Sequence, residues 1–290
     1  MRRWAILGVA LLVGGCAAPV EGAPPSTQRT SQGPVAPSHA SPPSAPFDGL
    51  EARVRQATAE AAESGADIET AVMDRATGQI VSNGATAPFP IASVVKLFIA
   101  DDLLLQEAQG TTTLSAADRT SLDRMLRSSD DSAAQQFWDR SGRNAVIERI
   151  VARYGLTGTT APSNGHWDVT MSTAGDLVRY YDMLLDGTGG LPAEQAGVII
   201  GDLARSTPTG ADGYPQRFGI PDALTAEPVA VKQGWFCCWN GGNQLHVSTG
   251  AIGSDHRYVM AISSLEPDDA AETRETVTRA VRTMFPAGRI

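Results

Sequence analysis

The chain has 290 residues, 42% of them hydrophobic, enough for one large domain or two modest ones around a sizeable core. Its formal net charge of −9 argues against a nucleic-acid partner, because such binding rests on Lys and Arg neutralising phosphates. Removing the leader described next takes out Arg2 and Arg3 and no acid, which makes the remainder more acidic still.

Residues 1–15 read as a signal peptide. Arg2 and Arg3 form the charged start, and residues 4–13 are an apolar run too short to span a bilayer permanently. The run ends in Val13-Gly14-Gly15-Cys16, which resembles the bacterial lipobox, so Cys16 is expected to be diacylated and to become the mature N-terminus. The acyl chains would hold the protein at the outer face of the cell membrane, since one chain anchors weakly and several together hold. Residues 16–46 are rich in Pro, Ser, Ala, Thr and Gln and show no apolar periodicity. Such a stretch buries too little surface to offset its ordering entropy, so it reads as a disordered tether with a reach of roughly 30 Å.

Residues 47–290 have globular patterning. Leu50, Val54, Ala57 and Ala61 recur at helical spacing and predict a helix over 48–64, with Asp48 as its N-cap. A strand over 68–73, a turn over 74–79 and a returning strand from Ile80 follow. A long helix is predicted over 92–106, barred from starting earlier by Pro90, which disfavours helical geometry at Phe89. Further helices are predicted over 115–127, 132–141, 144–154, 172–185 and 192–204. Strands return at 228–232, 244–252 and 257–264, and an amphipathic helix over 269–285 closes the chain. Sequence-distant strands must then meet in one antiparallel sheet flanked by the terminal helices, beside a helical subdomain. The predicted class is α+β, with a cleft where the two parts join.

Chemistry concentrates at three places. Ser93-Val94-Val95-Lys96 opens the long helix, where residues three apart share a face, so the hydroxyl and the amine become neighbours. A serine is a poor nucleophile until a base takes its proton, and a lysine serves as that base when burial or nearby positive charge lowers its pKa. The flanking residues Pro90-Ile91-Ala92 and Leu97-Phe98 are apolar or small, so Lys96 is not on a solvated face by default. Of the 23 basic residues only Lys96 and Lys232 are lysine, which suggests a role that a guanidinium cannot play, such as losing a proton. Lys232-Gln233-Gly234 ends a short apolar strand started by Pro228. Between the two lysines, Ser129-Asp130-Asp131 stands at a junction of helices.

In this order the motifs resemble the S-x-x-K, S-D-N and K-T-G signature of the penicillin-recognising serine enzymes, the superfamily of class A β-lactamases and DD-peptidases. The run Ser129-Asp130-Asp131-Ser132-Ala133-Ala134, the exit Tyr154-Gly155-Leu156-Thr157-Gly158-Thr159 and the stretch Arg217-Phe218-Gly219-Ile220-Pro221 support it. The resemblance implies a β-lactamase/transpeptidase-like fold over 47–290 and an acyl-enzyme formed at Ser93 with a β-lactam or a cell-wall peptide amide or ester. It implies Lys96 as general base, Ser129 as proton relay and Lys232 as holder of a substrate carboxylate. It also implies backbone N–H groups of Ser93 and Trp235 as the oxyanion hole, Asp131, Gln233 and Gly234 as substrate-binding positions, and a structural Asp130.

Four departures stand out. Asp131 replaces asparagine, Gln233 replaces threonine, and the interval from Ser93 to Ser129 is shorter than in class A enzymes, which implies a more open cleft. The region 159–173, where class A enzymes carry the glutamate that hydrolyses the acyl-enzyme, has none; His166 and Asp168 are its only titratable residues. Slow deacylation is expected, and the alternative from another class is a catalytically idle penicillin- or peptide-binding lipoprotein. Cys237 and Cys238 are adjacent and either close a vicinal disulfide or remain thiols. The expected partners are a small-molecule or peptidoglycan-peptide substrate and a membrane reached through the N-terminal lipid. The body is expected to be a monomer with no cofactor and no metal.

Overall fold

A computed structural model describes residues 47–290; the expected signal peptide, Cys16 and the tether lie outside the described residues. Helix α1 (Leu50–Glu63) buries the stripe Leu50, Val54, Ala57 and Ala61. Its N-cap is Gly49 at φ 68°, not Asp48, because the chain enters through a left-handed residue that glycine adopts without penalty. Strands β1 (Asp67–Asp74) and β2 (Gln79–Ser82) form the predicted hairpin. The two-residue strand β3 (Phe89–Pro90) leads into a 3-10 turn, Ala92–Val95, from which α2 (Lys96–Ala108) continues. The uninterrupted helix expected from Ala92 therefore starts tighter than predicted.

The helical subdomain follows with α3 (Ala116–Arg127), α4 (Asp131–Arg140) and α5 (Asn144–Tyr154). Ser115 and Asp118 cap α3 reciprocally, and the Asp130 carboxylate caps α4 by accepting from the Ala133 N–H at 3.0 Å. A 3-10 turn, Trp167–Val169, precedes β4 (Met171–Ser172), which pairs antiparallel with β3. Then come α6 (Ala174–Asp186), α7 (Ala193–Leu203) and the short α8 (Ile220–Ala223). Strand β5 (Val229–Trp239) runs well past its predicted end and is followed by β6 (Asn243–Ile252), β7 (Tyr258–Glu266) and α9 (Ala270–Met284).

Five strands make one antiparallel sheet in the order β2-β1-β7-β6-β5, so β5 is an edge. Both faces are covered, and side chains alternate between them as a pleated strand requires. Ala71, Ala230, Val247, Val259 and Ala261 face the helical subdomain; Val72, Val231, Ile252, Met260 and Ile262 face α1 and α9.

Helix α2 is enclosed by the subdomain, with every residue from Lys96 to Leu104 buried. A buried charge is tolerated only with partners. The Asp101 carboxylate accepts from Arg153, from the Tyr154 hydroxyl and from the Tyr180 hydroxyl at 3.2 Å. Asp102 takes both arms of Arg149 at 2.7 Å. These contacts tie α2 to α5 and α6 and fix the axial position of the helix that begins at Lys96. Asp101→Ala leaves Arg153 without its carboxylate and the Tyr154 hydroxyl without its acceptor and is expected to destabilise the fold by about 3 kcal/mol or more, read as a lower urea midpoint; an unchanged midpoint would show that α2 is held some other way.

Candidate active site

Ser93 is placed by a backbone that is pinned on both sides. The Ile91 N–H donates to the Thr170 carbonyl at 2.9 Å, next to the β3–β4 pair, and Ala92 adopts φ 46°. A non-glycine residue there stores strain that the surrounding structure must hold. Ser93 then falls inside the 3-10 turn, where side chains three apart eclipse each other. The Ser93 Oγ and the Lys96 Nζ lie 2.7 Å apart as a result. From the other side comes the edge strand β5. A Cβ on Gly234 would sit 2.6 Å from the Ile91 carbonyl oxygen, 3.1 Å from the Ala92 Cβ and 3.2 Å from the Ser93 nitrogen. Only glycine lets β5 lie this close to the turn that carries the hydroxyl.

Lys96 is fully buried, and four oxygens surround its amine: Ser93 Oγ at 2.7 Å, the Ser129 carbonyl at 2.7 Å, Ser129 Oγ at 3.1 Å and Asp131 Oδ1 at 2.5 Å. The Trp167 ring lies 4.9 Å from the same nitrogen. An ammonium has three N–H donors for these four oxygens, whereas a neutral amine has a lone pair that accepts from a hydroxyl. Burial pushes the Lys96 pKa below its ordinary value, and the Asp131 carboxylate opposes that shift.

Ser129 joins the two lysines. Its Oγ accepts from Lys232 Nζ at 2.9 Å as well as from Lys96, and it holds a left-handed φ of 56° between α3 and α4. Lys232 also donates to the Gln233 carbonyl at 2.8 Å and is buried; burial first, and the Lys96 charge second, push its pKa well below the ordinary value. Asp130, the α4 cap, is further paired with Arg124, while the Asp131 side chain is 67% exposed.

These groups open onto a cavity of about 230 Å³ lined by Ser93, Asp131, His166, Asp168 and Trp235 among the sequence-predicted residues. His166 is exposed and Asp168 half-buried. Gln233 is not brought there: β5 alternates, so its side chain goes to the opposite face, is buried and donates to the Phe218 carbonyl. Lys96, Ser129, Lys232 and Gly234 lie behind the lining; the Lys232 amine is bonded to Ser129 and sits 5.9 Å from the Trp235 ring. Three further lining residues, Gln135, Trp167 and Asp212, escaped sequence reasoning. A tryptophan in the polar loop Ser163-Asn164-Gly165-His166-Trp167 was the available signal for one of them. Its indole N–H donates to Gln135 at 3.2 Å, and the Trp235 indole N–H donates to Asp212 at 3.3 Å. Beside the cavity, at the exposed end of β5, Cys237 and Cys238 are joined as a vicinal disulfide.

No family model matches the sequence. Over 251 residues it is 62% identical to the protein named "Putative lipoprotein LppW" in Mycobacterium tuberculosis and in Mycobacterium bovis, a match spanning 87% of this chain and 80% of the relative. The chain belongs to the LppW family. Its fold is that of the class A β-lactamases. The class A enzyme from Bacteroides cellulosilyticus superposes with a TM-score of 0.66 at 13% identity, over 82% of this chain and 97% of that one. A β-lactamase from Chitinophaga pinensis gives 0.65 at 16%, over 81% and 99%. One from Xanthomonas campestris gives 0.64 at 17%, over 81% and 97%.

In this member of the LppW family the two lysines are the whole lysine complement of the chain, so isotopically labelled lysine gives two side-chain resonances. Both are expected to titrate below the ordinary lysine value of about 10.4. In Asp131→Asn the Lys96 resonance is expected to titrate lower still, because the carboxylate that holds its proton is gone. Two resonances titrating at the ordinary value would contradict the burial argument.

Proposed function

We propose that this LppW-family protein is a serine acyl-transfer hydrolase that forms an acyl-enzyme at Ser93 with a β-lactam or a cell-wall peptide amide or ester. The observation that carries the reading is the 2.7 Å contact between Ser93 Oγ and a buried lysine amine, made at the floor of a cavity. Ser93 Oγ attacks the carbonyl carbon and its proton passes to neutral Lys96. The negative charge on the carbonyl oxygen meets the backbone N–H groups of Ser93 and Trp235, a reading supported by the close approach of Gly234, the residue before Trp235, to the Ser93 nitrogen. As the intermediate collapses, the bond to the leaving group breaks. The leaving atom takes a proton from Ser129 Oγ, which is resupplied by the lysines bonded to it at 2.9 and 3.1 Å. Lys232 keeps Ser129 in place, while burial favours the neutral form of Lys96.

The second half of the cycle requires a water and a base. No glutamate lines the cavity among the described residues, and His166 and Asp168 are the candidates for activating water. The acyl-enzyme is therefore expected to be long-lived. The lipoprotein name of the relatives supports a lipid anchor, for which Cys16 is the candidate.

Intact-mass spectrometry of the soluble body after incubation with a penicillin or an activated aryl ester tests the reading. One acyl adduct per wild-type molecule, lasting hours and absent from Ser93→Ala, is the expected result. Identical behaviour of the two proteins would instead support a catalytically idle binding lipoprotein, and rapid nitrocefin turnover would contradict slow deacylation.

A further inference from the structure

The walls of the Ser93 cavity carry a charge pattern that bears on its substrate. Three carboxylates reach it from three separate elements: Asp131 from the first turn of α4, Asp168 from the 3-10 turn Trp167–Val169, and Asp212 from the loop between α7 and α8. No lysine or arginine lines it among the described residues. The two lysines lie behind Ser93 and Ser129, bonded to those hydroxyls; Lys96 is also paired with Asp131 at 2.5 Å, which leaves Asp168 and Asp212 as the carboxylates without a cation beside the cavity among the described residues, and Arg274 donates to the Tyr214 hydroxyl at 2.7 Å, where the Tyr214 ring stacks on Trp235.

The hydrogen-bonding groups have the same bias. The Trp167 N–H is given to Gln135, the Gln135 amide N–H to Asp139 at 3.0 Å, and the Trp235 N–H to Asp212. Gln233, beside Lys232, turns its amide to Phe218 on the other face of β5. What faces the cavity is thus carboxylate oxygen and the exposed His166 imidazole between the aromatic walls of Trp167, Trp235 and Phe236. The carboxylates attract a cation through solvent-exposed charge, and the faces of the aromatic walls attract cations directly. A substrate carboxylate placed there, such as that of a penicillin, would meet like charge, which slows acylation without preventing it.

We propose that the cavity selects acyl donors carrying a positively charged nitrogen close to the reacting carbonyl, and disfavours those carrying a carboxylate there. The inference rests on the hydrolase reading above. The cavity volume, about 230 Å³, lies below the roughly 300 Å³ at which drug-sized sites begin, so the selected group is small.

The test uses umbelliferyl esters of three matched acids: gamma-trimethylammonium butyrate, its neutral tert-butyl isostere, and adipate, which ends in a carboxylate. Burst release of umbelliferone is measured against the Ser93→Ala protein as background. The cationic ester is expected to acylate fastest and the anionic one slowest, with a spread of about tenfold or more at low ionic strength that narrows with salt. In Asp168→Asn with Asp212→Asn, where the amide oxygen still accepts from Trp235, the spread is expected to shrink to about threefold or less. A burst with the neutral ester combined with a flat or inverted charge order overturns this inference alone and leaves the hydrolase reading standing. No Ser93-dependent burst with any of the three esters overturns both.

Discussion

A lysine amine held out of water against a serine hydroxyl is the constraint on which the rest of the structure depends. An ammonium in an apolar interior is costly unless it is paired or gives up its proton, so the fold has to supply partners, and the partners have to be fixed in place. Each nearby device answers that demand. The 3-10 turn eclipses Ser93 over Lys96, the strained Ser129 sets both a carbonyl and a hydroxyl on the amine, and Asp131 places a carboxylate on its outer side. The helix behind it is secured through Asp101 and Asp102.

The same constraint accounts for the sheet edge. Strand β5 supplies the second lysine and, two residues on, the glycine that lets its backbone lie against the nucleophile turn. Because a strand alternates, one stretch of β5 serves two purposes. Lys232 and Gly234 address the Ser93 side, while Val231 and Gln233 address the layer beneath α8 and α9. Asp131 is both a stabiliser and a brake: it satisfies the charged amine in the resting state and raises its pKa, so it works against the base it holds.

Much of this was legible in the sequence, for identifiable reasons. Helix α5 was predicted with both of its ends, since its apolar stripe is regular and Gly155 stops it in a left-handed conformation. Ser93, Lys96, Ser129 and Lys232 could be named because motif spacing and the scarcity of lysine both pointed to them. The 3-10 start of α2 was not visible, because a turn of either type presents the same apolar residues over four positions. Strands β3 and β4 are too short for any periodicity. Trp167, Gln135 and Asp212 line the Ser93 cavity only because loops pack beside α4 and β5, which local pattern does not encode. Gln233, expected at the substrate, was misplaced by a reading of motif position; strict strand alternation from Lys232 puts it on the other face.

The central claim is that Lys96 is the base for Ser93. The most direct measurement is the pH dependence of Ser93 phosphonylation by a small fluorophosphonate, in the wild type and in Lys96→Arg, whose guanidinium keeps its proton. The rate is predicted to rise with pH and level off below the ordinary lysine range near 10.4, and to fall in Lys96→Arg by roughly a hundredfold or more. A rate that keeps climbing through the ordinary lysine range, with Lys96→Arg as reactive as the wild type, would contradict it.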